Sequence, residues 1–313
     1  MVVPKDLIRY LENFSQRPDL SPAINLLVEE LKKRFPTLKG VVYYGSCFQE
    51  GKELEGLLDL YVLVENYHRT YKNPFLAAAN YFLPPNVFYL EKKWKQQFVR
   101  SKYAVMALWQ FEKAVSPRWF HSYFWGRFCQ PVALVWWKDE TSARRIIRAF
   151  AEAVVTFLLR TAPLAPPQGP LKELWLTGLA YSYRAELRPE APERLERLWQ
   201  KFAPHFAQIS CLAAKALPFP LEIRETFYRT IISEKERKKA QTLWKIRIVQ
   251  GKILSVLRLL KASFTFRGGV DYALWKIERH TGKRLEIPPF LRKHPSLALL
   301  LWGWKALLVR GVR

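Results

Sequence analysis

The sequence predicts an α+β protein: a mixed sheet with helices over residues 1–140, then a mostly helical remainder. Three observations predict it. Short runs rich in Val, Tyr and Phe recur at 40–44, 57–64, 86–90, 99–106 and 131–136, with the length and composition of strands. Helical patterns come before and between them. After about residue 140 the apolar residues return at three- and four-residue spacing, the period of a helix face.

In chain order, 5–13 and 22–35 read as helices, the second with Ser21 as N-cap and Pro22 in its first turn. Helical patterns at 72–80 and 107–115 separate the later strands. Residues 143–160, "ARRIIRAFAEAVVTFLLR", form a long helix. The stretch 161–170, "TAPLAPPQGP", holds four prolines and a glycine and reads as a linker. The residues divide the chain at about 140, and three units are expected: 1–140, 141–265 and a C-terminal region 266–313, the limit at 265 being the reach of the family resemblance described below.

Lys and Arg number 51 against 27 Asp and Glu, a formal charge of +24. Such a field attracts nucleic acid, nucleotides or an anionic bilayer. With half the residues hydrophobic, the chain is folded rather than a disordered basic tail. The three cysteines, Cys47, Cys129 and Cys211, lie too far apart for zinc-ligand spacing, and their odd number argues against a disulfide framework. The five histidines show no metal-binding spacing either. A reducing, cytoplasmic setting is expected, with no signal peptide at the N-terminus and no run of the roughly 20 apolar residues that span a bilayer.

The chemistry concentrates in "VVYYGSCFQEGKELEGLLDLYVLVENY", residues 41–67. A strand runs into Gly45 and Ser46, and a second strand carries Asp59 within an apolar run. A glycine turn lets backbone N–H groups approach a triphosphate, a serine hydroxyl donates to a phosphate oxygen, and a strand carboxylate holds Mg²⁺. Tyr61 occupies the place of a second acid, and a phenol is a poor magnesium ligand at neutral pH. A partner carboxylate is therefore sought in Glu65, in Glu91 or in the second domain.

Further blocks give these residues a family. "YYGSC…LLDLYVLVEN" resembles the Tyr-Gly-Ser-Gly block and single-Asp strand of the mitochondrial-type phosphatidate cytidylyltransferases, the translocator assembly and maintenance family; Cys47 stands for its last glycine. "PPNVFYLE" at 84–91 resembles its Gly-Val-Tyr-Phe-Asn strand. "VRSKYAVMAL" at 99–108 carries over Lys102 and Tyr103. "FHSYFWGRFCQPVALV" at 120–135 carries over Tyr123, Gly126, Arg127 and Pro131, with Gln130 for a lysine. "YSYRAELR" at 181–188 matches through Ser182, Tyr183 and Arg188, with Ala185 for glycine and Glu186 for aspartate. "LKASFT" at 260–265 matches through Lys261 and Thr265. The family's His-Tyr-Ser block has no counterpart.

The resemblance implies a nucleotidyltransferase-fold sheet joined to a winged-helix-like helical domain, with the site between them. It implies condensation of CTP with phosphatidic acid, with Mg²⁺ as cofactor. Asp59, Lys102 and Glu186 would be catalytic. Gly45, Ser46, Tyr103, Arg127, Arg188 and Lys261 would hold nucleotide and phosphate, and Asp59 and Glu65 the metal. Two rivals stand beside this reading: a nucleic-acid binder, disfavoured because the basic residues are scattered through a folded chain, and a nucleotidyltransferase acting on another acceptor such as tRNA.

The C-terminus, "PPFLRKHPSLALLLWGWKALLVRGVR", is basic and aromatic without an acid. It is expected to form an amphipathic helix at an anionic membrane surface, anchored by Trp302, Trp304, Lys305 and Arg310. The tract 235–261 adds a basic helical face. The protein is accordingly expected as a peripheral protein on the inner face of the cell membrane.

Overall fold

The computed structural model describes residues 2–18, 21–51, 56–187 and 190–265. Arg188 and the C-terminal region with Trp302, Trp304, Lys305 and Arg310 lie outside these residues. Among the described residues, no helix is long and apolar enough to cross a membrane.

The chain starts with two helices, α1 (Lys5–Ser15) and α2 (Pro22–Arg34). Ser21 caps α2 as expected, its Oγ accepting from the Ile24 N–H at 3.2 Å. There follow β1 (Leu38–Tyr44), a short α3 (Ser46–Glu50), β2 (Leu57–Val64), α4 (Tyr67–Thr70), α5 (Pro74–Phe82), β3 (Asn86–Trp94), β4 (Gln97–Ala107), α6 (Leu108–Val115), α7 (Trp125–Phe128) and β5 (Ala133–Trp137). The sheet order is β3-β4-β2-β1-β5. It is mixed: β2 and β4 run parallel, and the other neighbours are antiparallel.

Side chains alternate across a sheet, so its two faces have different fates. One buries Val41, Tyr43, Leu58, Leu60, Val62, Tyr103 and Val105 against α2. The other buries Val42, Tyr44, Tyr61, Leu63, Ala104 and Met106 against α7 and the long α8 (Glu140–Thr161). Asp59 and Lys102 alternate with the first set and so share the second face, the one that the helical half covers.

Beyond α8 come β6 (Gln168–Pro170), α9 (Leu171–Arg184), α10 (Pro192–Ala214), β7 (Leu221–Arg224), β8 (Phe227–Thr230) and α11 (Glu234–Thr265). The strands form an antiparallel sheet in the order β6-β8-β7. Helix, short strand, two helices and a hairpin make a winged-helix-like unit, as expected. Its three strands were not: at three or four residues each, they are too short to show a period of two.

The proline-rich stretch is not a loose linker. Ala162 and Ala165 are buried. The Pro166 carbonyl accepts from Tyr228 Oη at 2.8 Å and the Pro167 carbonyl from the Thr230 N–H at 2.7 Å. The buried Arg237 donates to the carbonyls of Pro163 and Ala165. One apolar core runs from Val3 and the sheet through α8 to Trp244, so the two halves share an interior.

Candidate active site

The site begins where β1 ends. Gly45 has φ 84° and ψ −169°, a conformation essentially closed to other residues. Its bareness has a second use: a Cβ there would lie 2.7 Å from Asp59 Oδ2. The register pairs Tyr44 with Asp59, which brings the Gly45–Ser46 turn against the carboxylate. Cys47 turns inward, its thiol donating to the Leu57 carbonyl at 3.2 Å, and so serves packing. Tyr61 is fully buried among Tyr44, Phe111, Phe124 and Phe128, which accounts for an aromatic where a second acid was sought.

Lys102 pairs with Asp59 across the parallel strands β2 and β4. Its Nζ lies 3.1 Å from Asp59 Oδ1, with the two side chains 38% and 22% exposed. Tyr103 cannot join them. As the next residue on the strand it faces the opposite side, buried against Phe35 and Phe88, with its hydroxyl 3.4 Å from Arg34. The expected nucleotide contact by Tyr103 is therefore not made.

Arg127 approaches from α7. Its Nη2 donates to both oxygens of Glu186, at 2.9 and 3.2 Å, and its guanidinium lies over the Tyr123 ring at 4.2 Å and the Tyr44 ring at 5.8 Å. Burial opposes the Arg127 charge, but the Glu186 carboxylate and nearby tyrosine oxygens outweigh it and hold the pKa well above its usual value. Glu186 is thus the counter-ion of Arg127, which accounts for it without a metal. The residues around it form a support. A Cβ on Gly126 would come 1.9 Å from Ser182 Oγ, so glycine lets α7 and α9 touch there. Gln130 donates to the Gly126 carbonyl at 2.8 Å and to Tyr183 Oη at 3.1 Å.

From α11 come Arg258, which the sequence reading missed, and Lys261. Arg258 lies over the Tyr123 ring at 4.3 Å and donates through Nε to the Pro84 carbonyl at 2.9 Å. Lys261 donates to the carbonyls of Leu83 and Pro85, the latter at 2.7 Å. Burial, with Arg258 nearby, pushes its pKa down to about 7. Lys261 thus clasps the 83–85 turn behind the site.

The expected metal ligands do not assemble. Glu65 follows the far end of β2, six residues from Asp59, which is about 20 Å of extended chain. Its side chain faces Lys39 at 3.9 Å. Glu91 accepts from Arg100 Nε at 2.6 Å and from Tyr89 Oη at 2.9 Å. Among the described residues, no group of three or more His, Cys, Asp or Glu is arranged to hold a metal. What remains is one partly exposed carboxylate against a glycine turn. That fits magnesium delivered with a triphosphate, whose oxygens and waters fill most of the octahedron, and does not fit a resident ion.

No family model matches the chain, and no curated protein matches it. Among solved structures it is similar to a nucleotidyltransferase-like protein from Exiguobacterium sibiricum 255-15, at 11% identity, 91% coverage of each chain and a TM-score of 0.25. That score is too low to establish a common fold, and the likeness carries no weight for function.

Proposed function

We propose that this chain is a nucleotidyltransferase, and within that class a CTP:phosphatidate cytidylyltransferase working at an anionic membrane surface. The observation that carries the reading is the meeting of the Gly45–Ser46 turn, Asp59 and Lys102 on the sheet face toward the winged-helix-like half, where Arg127 enters from α7 beside Tyr44.

In the proposed reaction, a phosphate oxygen of the lipid bonds to the α-phosphorus of CTP. The bond from that phosphorus to the bridging oxygen breaks, and pyrophosphate leaves with the electron pair. The nucleophile is already an anion, so the problem is to bring like charges together. Ser46 Oγ donates to a triphosphate oxygen. Asp59 would hold the nucleotide's magnesium, which would neutralise charge on the phosphates. Lys102 exchanges its Asp59 partner for a phosphate oxygen as the nucleotide enters, and Arg127, fixed by Glu186, presents its second nitrogen to the other anion.

A membrane setting draws support from α11. Its outward side carries Ile246, Val249, Ile253, Val256, Leu257 and Leu260, each at least 44% exposed, beside the exposed Lys245 and Lys252. Spaced at three and four residues, they form one apolar stripe. A nucleic-acid role has less support. Helix α10, the counterpart of a winged helix's reading helix, mixes Glu193 and Glu196 with its basic residues, and Arg194 is paired with Glu190 at 2.6 Å.

Asp59→Asn tests the reading. With labelled CTP and phosphatidic acid, CDP-diacylglycerol formation should fall to background while circular dichroism stays that of the wild type. Undiminished turnover by the folded variant would exclude Asp59 from the chemistry, and product analysis with tRNA or sugar phosphates would expose another acceptor.

A further inference from the structure

Two guanidiniums converge on one phenol. Arg127 lies 4.2 Å and Arg258 4.3 Å from the centre of the Tyr123 ring. Each is held by one edge: Arg127 through Nη2 to Glu186, Arg258 through Nε to the Pro84 carbonyl. In each, the Nη1 nitrogen is buried and has no acceptor among the described residues. A buried donor on a cation without a partner costs several kcal/mol in general, and native structures rarely leave one unless something is meant to fill it.

The charge count agrees. Arg127 and Arg258 gather around Tyr123, against Glu186 as the carboxylate among the described residues that pairs with Arg127. The acceptor given to Arg258 is a neutral carbonyl, which satisfies a hydrogen bond and leaves the charge standing. Burial first, and Arg127 as a like charge, hold the Arg258 pKa below its ordinary value although Tyr123 and Glu186 oppose this. The missing component is therefore an anion with several acceptor oxygens.

We infer that Arg127 and Arg258 form a clamp for one phosphoryl group, which receives the Nη1 donors of both over the Tyr123 ring. This deepens the proposed function, since Arg258 becomes a phosphate-binding residue of the same site, but the clamp itself requires only a phosphoryl anion. In a cytidyl transfer two carriers bring one: the terminal phosphate of the lipid acceptor and the triphosphate of CTP.

Isothermal titration of the full chain distinguishes them, with three probes: dihexanoyl phosphatidic acid below its micelle concentration, CTP with magnesium, and dihexanoyl glycerol as the phosphate-free control. Arg258→Gln should weaken one phosphate carrier ten- to a hundredfold, the worth of one or two charged hydrogen bonds, and leave the glycerol control unchanged. A loss on phosphatidic acid gives the clamp to the acceptor; a loss on CTP gives it to the nucleotide. Unchanged affinity for both overturns the proposal. Should Arg258→Gln fail to fold, Arg258→Lys keeps the charge and the stem, and about threefold weakening of the same carrier is expected because an ammonium lacks the fork. Equal affinity there overturns it too. Arg258-dependent phosphate binding without any CDP-diacylglycerol formation would leave the clamp standing and remove the proposed reaction.

Discussion

Glu186 was expected to be catalytic and is found holding an arginine, and the two roles differ in what Glu186→Ala does to an unliganded, metal-free protein. The pair is well shielded, with Arg127 and Glu186 side chains 18% and 22% exposed. Removing the carboxylate leaves Nη2 without its acceptor beside an Nη1 that has none. Breaking a buried pair from one side costs about 3–5 kcal/mol; with this residual exposure, and with stacking on Tyr123 retained, about 3 kcal/mol is expected. The chain supplies its own control. Arg145 and Glu112 make an equally good two-point contact, at 2.7 and 2.8 Å, but are 45% and 32% exposed. Glu112→Ala should cost less than about 1 kcal/mol.

Urea unfolding in a chelating buffer, followed by tryptophan fluorescence, measures both. The Glu186 variant should unfold at clearly lower urea than the Glu112 variant, and the double variant Arg127→Met/Glu186→Leu should recover most of the loss because no charge is left stranded. Equal, small losses for the two single variants would refute the counter-ion argument and return Glu186 to the catalytic role expected of it.

Other expectations follow from the same contacts. Gly45→Ala places a methyl group 2.7 Å from Asp59 Oδ2 on a backbone that resists it, so turnover should fall further than the 1–3 kcal/mol strain lowers stability, and parallel losses would count against the site. Tyr103→Phe should leave turnover within twofold, because among the described residues its hydroxyl meets Arg34, at 3.4 Å, on the far face; a large loss of activity would put Tyr103 back in the site. Burial, joined for His121 by Arg258 and Arg247, pushes His121 and His205 down to about 3 from an ordinary 6.5. The folded state keeps both neutral where the unfolded chain takes up protons, so stability is complete above 6.5 and is lost as pH falls toward 3. At pH 5 the loss is about 2 kcal/mol per histidine, and His205→Gln should reduce the slope by about half; an unaltered slope would show another group responsible.

Much of the sheet was legible because its strands are long and β-branched. The runs expected at 57–64 and 107–115 match β2 and α6 to within a residue, and α8 extends the expected 143–160 by three residues at its start and one at its end. The Asp59–Lys102 pair was legible as two residues, though not as a contact, because strand pairing is not written in local sequence. Tyr103 and Glu65 failed for reasons the sequence did contain. A period of two forbids neighbours on a strand from sharing a face, and six residues of extended chain separate Asp59 from Glu65. Resemblance to a motif treated those residues as a set, and the geometry of the strand divides them. The winged-helix-like strands were not legible at all, since prolines and two hairpin arms of four residues gave no repeat to read.

Arg258 was hidden by an assumption about helices, and the assumption is instructive. An amphipathic helix is normally read with its apolar stripe inward. Helix α11 reverses this. Trp244, Arg247, Gly251, Arg258 and Lys261 face the protein, and Ile246, Val249, Ile253, Val256, Leu257 and Leu260 face outward. Such a helix seats Trp244 and Ile248 on the core and is held besides by charged side chains donating to the carbonyls of Phe120, Leu83, Pro84 and Pro85. Both departures are costly in water, and both cease to be costly in one setting. An anion at the inward face neutralises the cations, and an apolar medium at the outward face covers the stripe. A phosphate carried on acyl chains supplies both through one molecule. On the proposed function, α11 would then lie with its aliphatic side among the lipids while Arg258, on its other side, meets the headgroup, and the same few turns of helix would join membrane docking to the chemistry.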